Sequence, residues 1–400
     1  MTHIAPPRTS ATVARPVRAS AVAVTVTIVC VLPVFLVGGL AVQMREELGF
    51  SPAGLGLVVA VYFAVGALAS VPSGALVERW GAAVVARAGI VVSAGSLLAV
   101  AVAARSYPVL VGLLAVAGTA NALGQLSSNA LLARHVPPRR QGLSFGVKQA
   151  AIPVSTLLAG VAVPTVALTV GWRWAFVAAA GAALAALPAV PSQGAQPARR
   201  RTGRTGGASP GLVLVGVAAT LAAGAANALG TFVVDASVDR GLGPGMAGLT
   251  LTLGSAVCVA ARIGVGWLAD RRTGGHIAVI AALLVAGAVG LGLLAVAGPG
   301  PLVVGVVLGF GLGWSWPGLM NFAVVQLHPQ APAAATSITQ TGVYAGGCLG
   351  PLALGPLAAA AGYPAMWLAA AVAMLVAATL MLTATRLLPT PADPHPRPSG

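Results

Sequence analysis

Apolar residues along this chain come in long runs rather than in the alternating or amphipathic patterns of a soluble core. Runs of about 20 residues or more, the length at which a helix crosses a bilayer core, recur with short interruptions between them. They predict twelve helices: 21–43, 53–77, 83–104, 107–132, 143–167, 174–190, 211–234, 246–269, 277–297, 302–325, 334–360 and 365–385. One interruption is longer than the rest. "PSQGAQPARRRTGRTGGASP", residues 191–210, is rich in Pro, Gly, Ser and Arg, has no apolar periodicity and reads as a flexible linker. The pattern therefore divides the chain into a tail (1–20), a six-helix bundle (21–190), the linker (191–210), a second six-helix bundle (211–385) and a tail (386–400).

Composition agrees. With 58% hydrophobic and only 7% charged residues, and a mean hydropathy of +0.93, the chain cannot be a soluble globular protein, where about a quarter of residues are charged. It is expected to be an all-α integral membrane protein whose constant partner is the lipid bilayer. The net charge of +15 would point to nucleic acid in a soluble chain. Here the arginines lie in short loops and tails, so no nucleic-acid partner is expected. Arg8, Arg15, Arg18, Arg79, Arg134, Arg139, Arg140, Arg199, Arg200, Arg201, Arg204, Arg271, Arg272, Arg386 and Arg397, fifteen in all, fall on one side of the predicted topology; Arg45, Arg105, Arg173 and Arg240 fall on the other. That bias places both termini in the cytoplasm of a multi-pass plasma (inner) membrane protein. The first apolar run is too long for a signal-peptide core and lacks a cleavage pattern, so it reads as a helix that stays. Cys30, Cys258 and Cys348 lie inside apolar runs, which implies no disulfide framework, metal or cofactor.

The two halves repeat. "SGALVERWG" at 73–81 aligns with "VGWLADRRT" at 265–273 at an offset of 192: Gly74 with Gly266, Leu76 with Leu268, Glu78 with Asp270, Arg79 with Arg271. The same offset pairs Gly49, Pro52 and Gly56 with Gly241, Pro244 and Gly248, Asn129 with Asn321, and Pro137 with Pro329. A gapless register held over this length reads as a duplicated six-helix unit.

Two six-helix halves, a basic central linker and G-x-L-x-[DE]-R after helices two and eight together resemble the major facilitator superfamily of secondary transporters over essentially the whole chain. The resemblance implies that Gly74 lets helix two approach helix eleven, and that Glu78, Arg79 and Gly81, with Gly266, Asp270 and Arg271 in the second copy, form a cytoplasmic cluster that opens and closes with transport. The sequence departs from the family pattern in places. Ala82 and Ala83 stand where a basic pair is expected, with Arg87 one turn on. "GTANALGQ" at 118–125 lacks the helix-four Arg of proton-coupled antiporters, and "VKQAAIPVSTLLAG" lacks the helix-five Gly-Pro motif of many drug antiporters, although "GGCLGPLALG" occurs in helix eleven. These departures count against a proton-driven drug exporter.

An ionisable group at membrane depth costs a few kcal/mol, about 2.5–3.5 on insertion scales, so each is a candidate functional site. Lys148, the only lysine in the chain, lies inside helix five, where it either faces the cavity or snorkels its amine to the headgroups. Arg262 lies eight residues before Asp270, about 12 Å along the helix. It is either a ligand for substrate or a structural tie to backbone carbonyls on a neighbouring helix. Asp235, near the outer end of helix seven, is a coupling candidate or a surface residue. The repeat pairs Lys148 and Gln149 with Gln340 and Thr341, and the resemblance places helices five and eleven beside the pathway, so Lys148 and Gln340 are expected to face each other across it. It further implies that Gln43, Asn121, Gln125, Asn129, Asn227, Trp314, Trp316 and Asn321 line the pathway, the two Trp as substrate-stacking surfaces or interface anchors.

Two embedded cations against one embedded acid favour an organic anion such as a carboxylate, which would neutralise a desolvated ammonium or guanidinium. The expected function is secondary transport of a small organic solute by alternating access, by a functional monomer, with protons as a candidate coupling partner. Proton-antiport efflux of an amphipathic drug-like or natural-product compound is the alternative. A membrane enzyme is disfavoured because all five His lie in predicted tails or loops and no embedded triad or metal spacing occurs. A membrane sensor would need a signalling domain, and an ATP-driven pump a nucleotide loop.

Overall fold

Helix boundaries follow the Gly and Pro residues that punctuate the apolar runs. The computed structural model describes residues 11–136, 141–190, 209–272, 274–328 and 332–388. Every element among these residues is helical: α1 (Ala11–Gly39), α2 (Ala41–Leu48), α3 (Pro52–Trp80), α4 (Ala82–Ala103), α5 (Tyr107–His135), α6 (Gln141–Gln149), α7 (Ala151–Ala162), α8 (Leu168–Val170), α9 (Trp172–Ala186), α10 (Pro210–Asp239), α11 (Pro244–Ala269), α12 (His276–Leu294), α13 (Pro299–Leu308), α14 (Trp316–Leu327) and α15 (Pro332–Thr385). π-helical turns at Val163–Ala167 and Gly309–Gly313 join α7 to α8 and interrupt α13–α14. Ser51 caps α3 and Ser209 caps α10, each accepting a hydrogen bond from the backbone three residues on, with Pro at the first helical position where no N–H is needed.

Eleven stretches among the described residues are long and apolar enough to cross a membrane. The last, Ile338–Thr385, is 48 residues, or about 72 Å of helix at 1.5 Å per residue, more than twice a bilayer core of about 30 Å. Gly362, with φ 81° and ψ 168°, breaks it, so α15 is two helices meeting at a kink.

Several sequence expectations change in detail. The first helix begins at Ala11 instead of residue 21 and ends at Gly39, and residues 41–43 belong to the separate α2. Helix ten is interrupted by its π-turn, and helix five divides at Ala150. His276, expected in a loop, opens α12 and is buried against Phe322. The linker falls outside the described residues except for Ser209 and Pro210, as do residues 1–10 and 389–400 of the tails.

In lipid, helix association rests on van der Waals contact and interhelical hydrogen bonds, which small residues permit by close approach. The α10–α15 contact shows this. A Cβ on Gly342 would lie 2.2 Å from Gly216 O, one on Gly346 2.1 Å from Thr220 O, and one on Gly350 2.4 Å from Gly224 Cα. Interhelical hydrogen bonds add Tyr62 to the Cys30 carbonyl (2.9 Å) and Thr156 to Ser255 (2.6 Å). Val91, Val102, Leu349, Leu368 and Val372 are each more than half exposed, an apolar exterior that only lipid would cover favourably.

Candidate functional site

Residues from α1, α3, α5, α6, α7, α10, α11, α14 and α15 enclose a cavity of about 60 Å³ open to the centres of water molecules, room for a few waters. Its polar lining comprises Asn121 and Gln125 on α5, Gln149 at the end of α6, Asn227 on α10, Arg262 on α11, Asn321 on α14 and Gln340 on α15. Aromatic faces come from Phe35, Phe63, Trp314, Trp316 and Tyr344. Trp314 packs edge-on against Phe35, with centroids 5.9 Å apart. Gln43, on α2, and Asn129 lie outside this lining.

Arg262 is 2% exposed, and its position follows from two helix breaks. Pro153, four residues after Gln149, has no N–H to offer the Gln149 carbonyl. Trp314, just after the π-turn, has left the helical ladder with φ −116° and ψ 8°. The Arg262 guanidinium donates from Nε to Trp314 O at 3.0 Å and from Nη1 to Gln149 O. It also lies 5.7 Å from the Trp314 ring centroid. Arg262 thus ties together carbonyls from either side of the 191–210 linker. The third nitrogen, Nη2, has no partner among the described residues.

Lys148 is 3% exposed, so its amine stays in the interior, where it donates to Gln125 Oε1. Gln125 lines the cavity and Lys148 stands behind it. Gln340 lines the cavity, whereas Lys148, its expected counterpart across the pathway, is not part of the lining. Thr341 is exposed and is not part of the lining. Asn227 donates to Ala223 O at 2.8 Å on its own helix. No ion pair joins Lys148 or Arg262 to an acid among the described residues; the two ion pairs present lie elsewhere.

Four buried atoms around the cavity lack hydrogen-bond partners among the described residues: Asn121 Oδ1, Gln149 Oε1, Arg262 Nη2 and Trp316 Nε1. Each unsatisfied group costs about 1–3 kcal/mol, so their clustering at one cavity marks a place made for a polar occupant.

Asp235 is buried, and its partners are not those of Arg262. Its Oδ1 accepts from Arg45 Nη1 at 2.9 Å, and its Oδ2 accepts from Arg45 Nη2 and the Tyr363 hydroxyl. Burial alone would lower the Arg45 pKa; the hydrogen bond and charge of Asp235 outweigh it and raise the guanidinium above its ordinary value. Nearby on α2, the hydrogen bond from Arg173 holds the Glu47 carboxyl below its ordinary pKa, with Trp172 Nε1 donating at 2.9 Å. The Arg45–Asp235–Tyr363 cluster was not legible in the sequence, where Arg45 reads only as a loop charge.

At the opposite end, Asp270 Oδ2 accepts from Leu143 N at 3.2 Å, in the first turn of α6, a favourable place for a carboxylate beside a helix N-terminus. Gly266 lies where a Cβ on Gly146 would approach to 3.5 Å, and Arg271 stacks 3.6 Å from the Trp267 ring centroid. The first motif copy is unlike this. Glu78 and Arg79 are exposed, Gly81 ends α3 with φ 85°, and a Cβ on Gly74 would meet nothing within 4 Å.

Comparison with solved structures finds a crystal structure of a bacterial homolog to the human lysosomal transporter Spinster, in an inward-facing and occupied conformation, with a TM-score of 0.73. Sequence identity is 15% over 94% of this chain and 98% of the other, so the likeness is one of fold. No curated protein sequence matches the chain. The profile of the Major Facilitator Superfamily matches residues 23–351 and 215–400, together spanning nearly the whole chain, and the protein is a member of that superfamily of membrane transporters.

Proposed function

We propose that the protein is a secondary active transporter that carries a small organic anion by alternating access. It would work as a monomer in the plasma membrane, with twelve transmembrane helices in two pseudo-symmetric six-helix bundles, residues 21–190 and 211–385, and both termini and the 191–210 linker cytoplasmic. The observation that carries the reading is electrostatic: Arg262 on the cavity wall and Lys148 behind Gln125 are buried with no acid to pair with among the described residues. An isolated buried cation is costly, and an arriving carboxylate offsets that cost. Asp235 is not available for the purpose because Arg45 holds it.

In this topology the end carrying α2 is extracellular and the end carrying Asp270 is cytoplasmic. Arg45, Asp235 and Tyr363 then form an outer gate and the protein faces inward, the conformation given for the Spinster homolog. Purified protein in liposomes tests the proposal. Labelled carboxylates should enter, with Arg262→Gln reducing uptake at least about tenfold while the variant elutes as a monodisperse peak. Uptake of carboxylates indifferent to both Arg262→Gln and Lys148→Gln would refute the anion reading, and labelling that placed the linker outside would refute the topology.

A second reading, export of an amphipathic compound in exchange for protons, is favoured by the aromatic lining of Phe35, Phe63 and Trp314. It predicts transport of lipophilic cations driven by a pH gradient in the same vesicles, with carboxylates ignored.

A further inference from the structure

The unpartnered atoms around the cavity are sorted by kind. The two acceptors, Asn121 Oδ1 and Gln149 Oε1, belong to α5 and α6; the two donors, Arg262 Nη2 and Trp316 Nε1, belong to α11 and α14. All four side chains are at least nine-tenths buried and all four residues line the same cavity. The sorting has local causes. Arg262 Nε and Nη1 are committed to two carbonyls, which leaves one arm of the fork free. The Gln149 carbonyl is taken by Arg262, while its side-chain oxygen is not. Asn121 packs against α3 through its amide nitrogen, which a Cβ on Gly66 would approach to 3.5 Å.

A simple carboxylate would satisfy the donors and leave both acceptors orphaned. A ligand with hydroxyl groups beside its carboxylate satisfies both sets. We propose that the solute is a short hydroxycarboxylate, its carboxylate directed to Arg262 Nη2 and Trp316 Nε1 and its hydroxyl hydrogens to Asn121 Oδ1 and Gln149 Oε1. Hydroxyl donors fit better than an ammonium because Lys148 and Arg262 already place uncompensated basic groups at the site. The few-water volume limits the carbon count in this conformation. Such a ligand contacts both sides of the linker at once, so its hydrogen bonds draw the two halves together around it. This inference rests on the anion reading above and narrows it.

The test compares glycerate (2,3-dihydroxypropanoate), propionate and alanine as competitors of labelled glycerate uptake in proteoliposomes. Glycerate should compete at a concentration about tenfold lower than propionate, the worth of roughly two neutral hydrogen bonds, one from each hydroxyl. Asn121→Leu, which removes one acceptor at similar volume, should shrink that ratio to within about threefold, measured on protein of unchanged monodispersity. Equal competition by glycerate and propionate, a ratio unmoved by Asn121→Leu, or a preference for alanine would overturn the hydroxycarboxylate inference and leave the anion reading standing. Uptake of labelled organic cations by the same vesicles, with no uptake of either labelled acid, would overturn both.

Discussion

The α7–α11 and α3–α15 crossings occupy equivalent places in the 192-residue repeat, and they agree at one end of the molecule and differ at the other. At the α2 end both are closed. A Cβ on Gly56 would lie 2.2 Å from Pro351 O and 3.2 Å from Gly355 Cα; at the equivalent Gly248 it would lie 2.6 Å from the Cβ of Val163, the residue equivalent to Gly355. At the Asp270 end, the second motif copy meets Gly146 on α6 and caps that helix through Asp270. The first copy meets nothing at Gly74, and Leu68 and Val71 beside it are 79% and 83% exposed. The motif is present in both copies, but its partner is not: Ile338 stands where the repeat has Gly146. A β-branched side chain keeps backbones apart where glycine lets them touch. A repeated motif therefore specifies one side of a contact, and the other side decides whether it closes.

Three measurements bear on this contrast. The largest effect belongs to the shared closed end: Asp235→Ala removes the partner of Arg45 and Tyr363 and is expected to cost about 2–3 kcal/mol, less than a fully buried pair because the Arg45 side chain is 30% exposed. The readout is thermal stability in detergent together with a gain in labelling of a cysteine placed at Leu48. A variant as stable and as closed as the parent would show that glycine packing alone seals this end. Next, Gly56→Ala should destabilise by about 1–3 kcal/mol through overpacking against the Pro351 carbonyl, whereas Gly74→Ala should stay within about 0.5 kcal/mol. Equal effects on the thermal midpoint would mean that the two ends do not differ as described. The smallest effect separates the motif copies: Asp270→Asn should lose about 0.5–1 kcal/mol with the α6 cap, and the exposed Glu78→Gln should be near neutral. Hydrogen exchange at the first turn of α6 would report the first loss directly, and unchanged protection there would contradict the cap.

Much of the candidate site was legible as a set of residues but not as an arrangement. Arg262, Asn121, Gln125 and Trp314 stand out because polar and aromatic groups are rare in apolar runs, and the repeat drew attention to Gln149 and Gln340. The contribution of Phe35, Phe63 and Tyr344 was not legible, since aromatic residues in such runs are as suited to lipid or helix packing as to a cavity wall. Pro153 was a signal that could have been used: a proline four residues after Gln149 frees a carbonyl that some donor must satisfy.

From the sequence alone came the membrane-spanning helical class, the matches at an offset of 192 residues and the inventory of rare polar groups, because hydropathy, helix length and sequence register are properties of consecutive residues. The tertiary structure decided which of those groups meet. It set Lys148 behind Gln125, Arg262 between the carbonyls of Gln149 and Trp314, and Asp235 with Arg45 across 190 residues of chain. Those pairings depend on where helices break and how closely small residues let them approach, and only packing in three dimensions settles both.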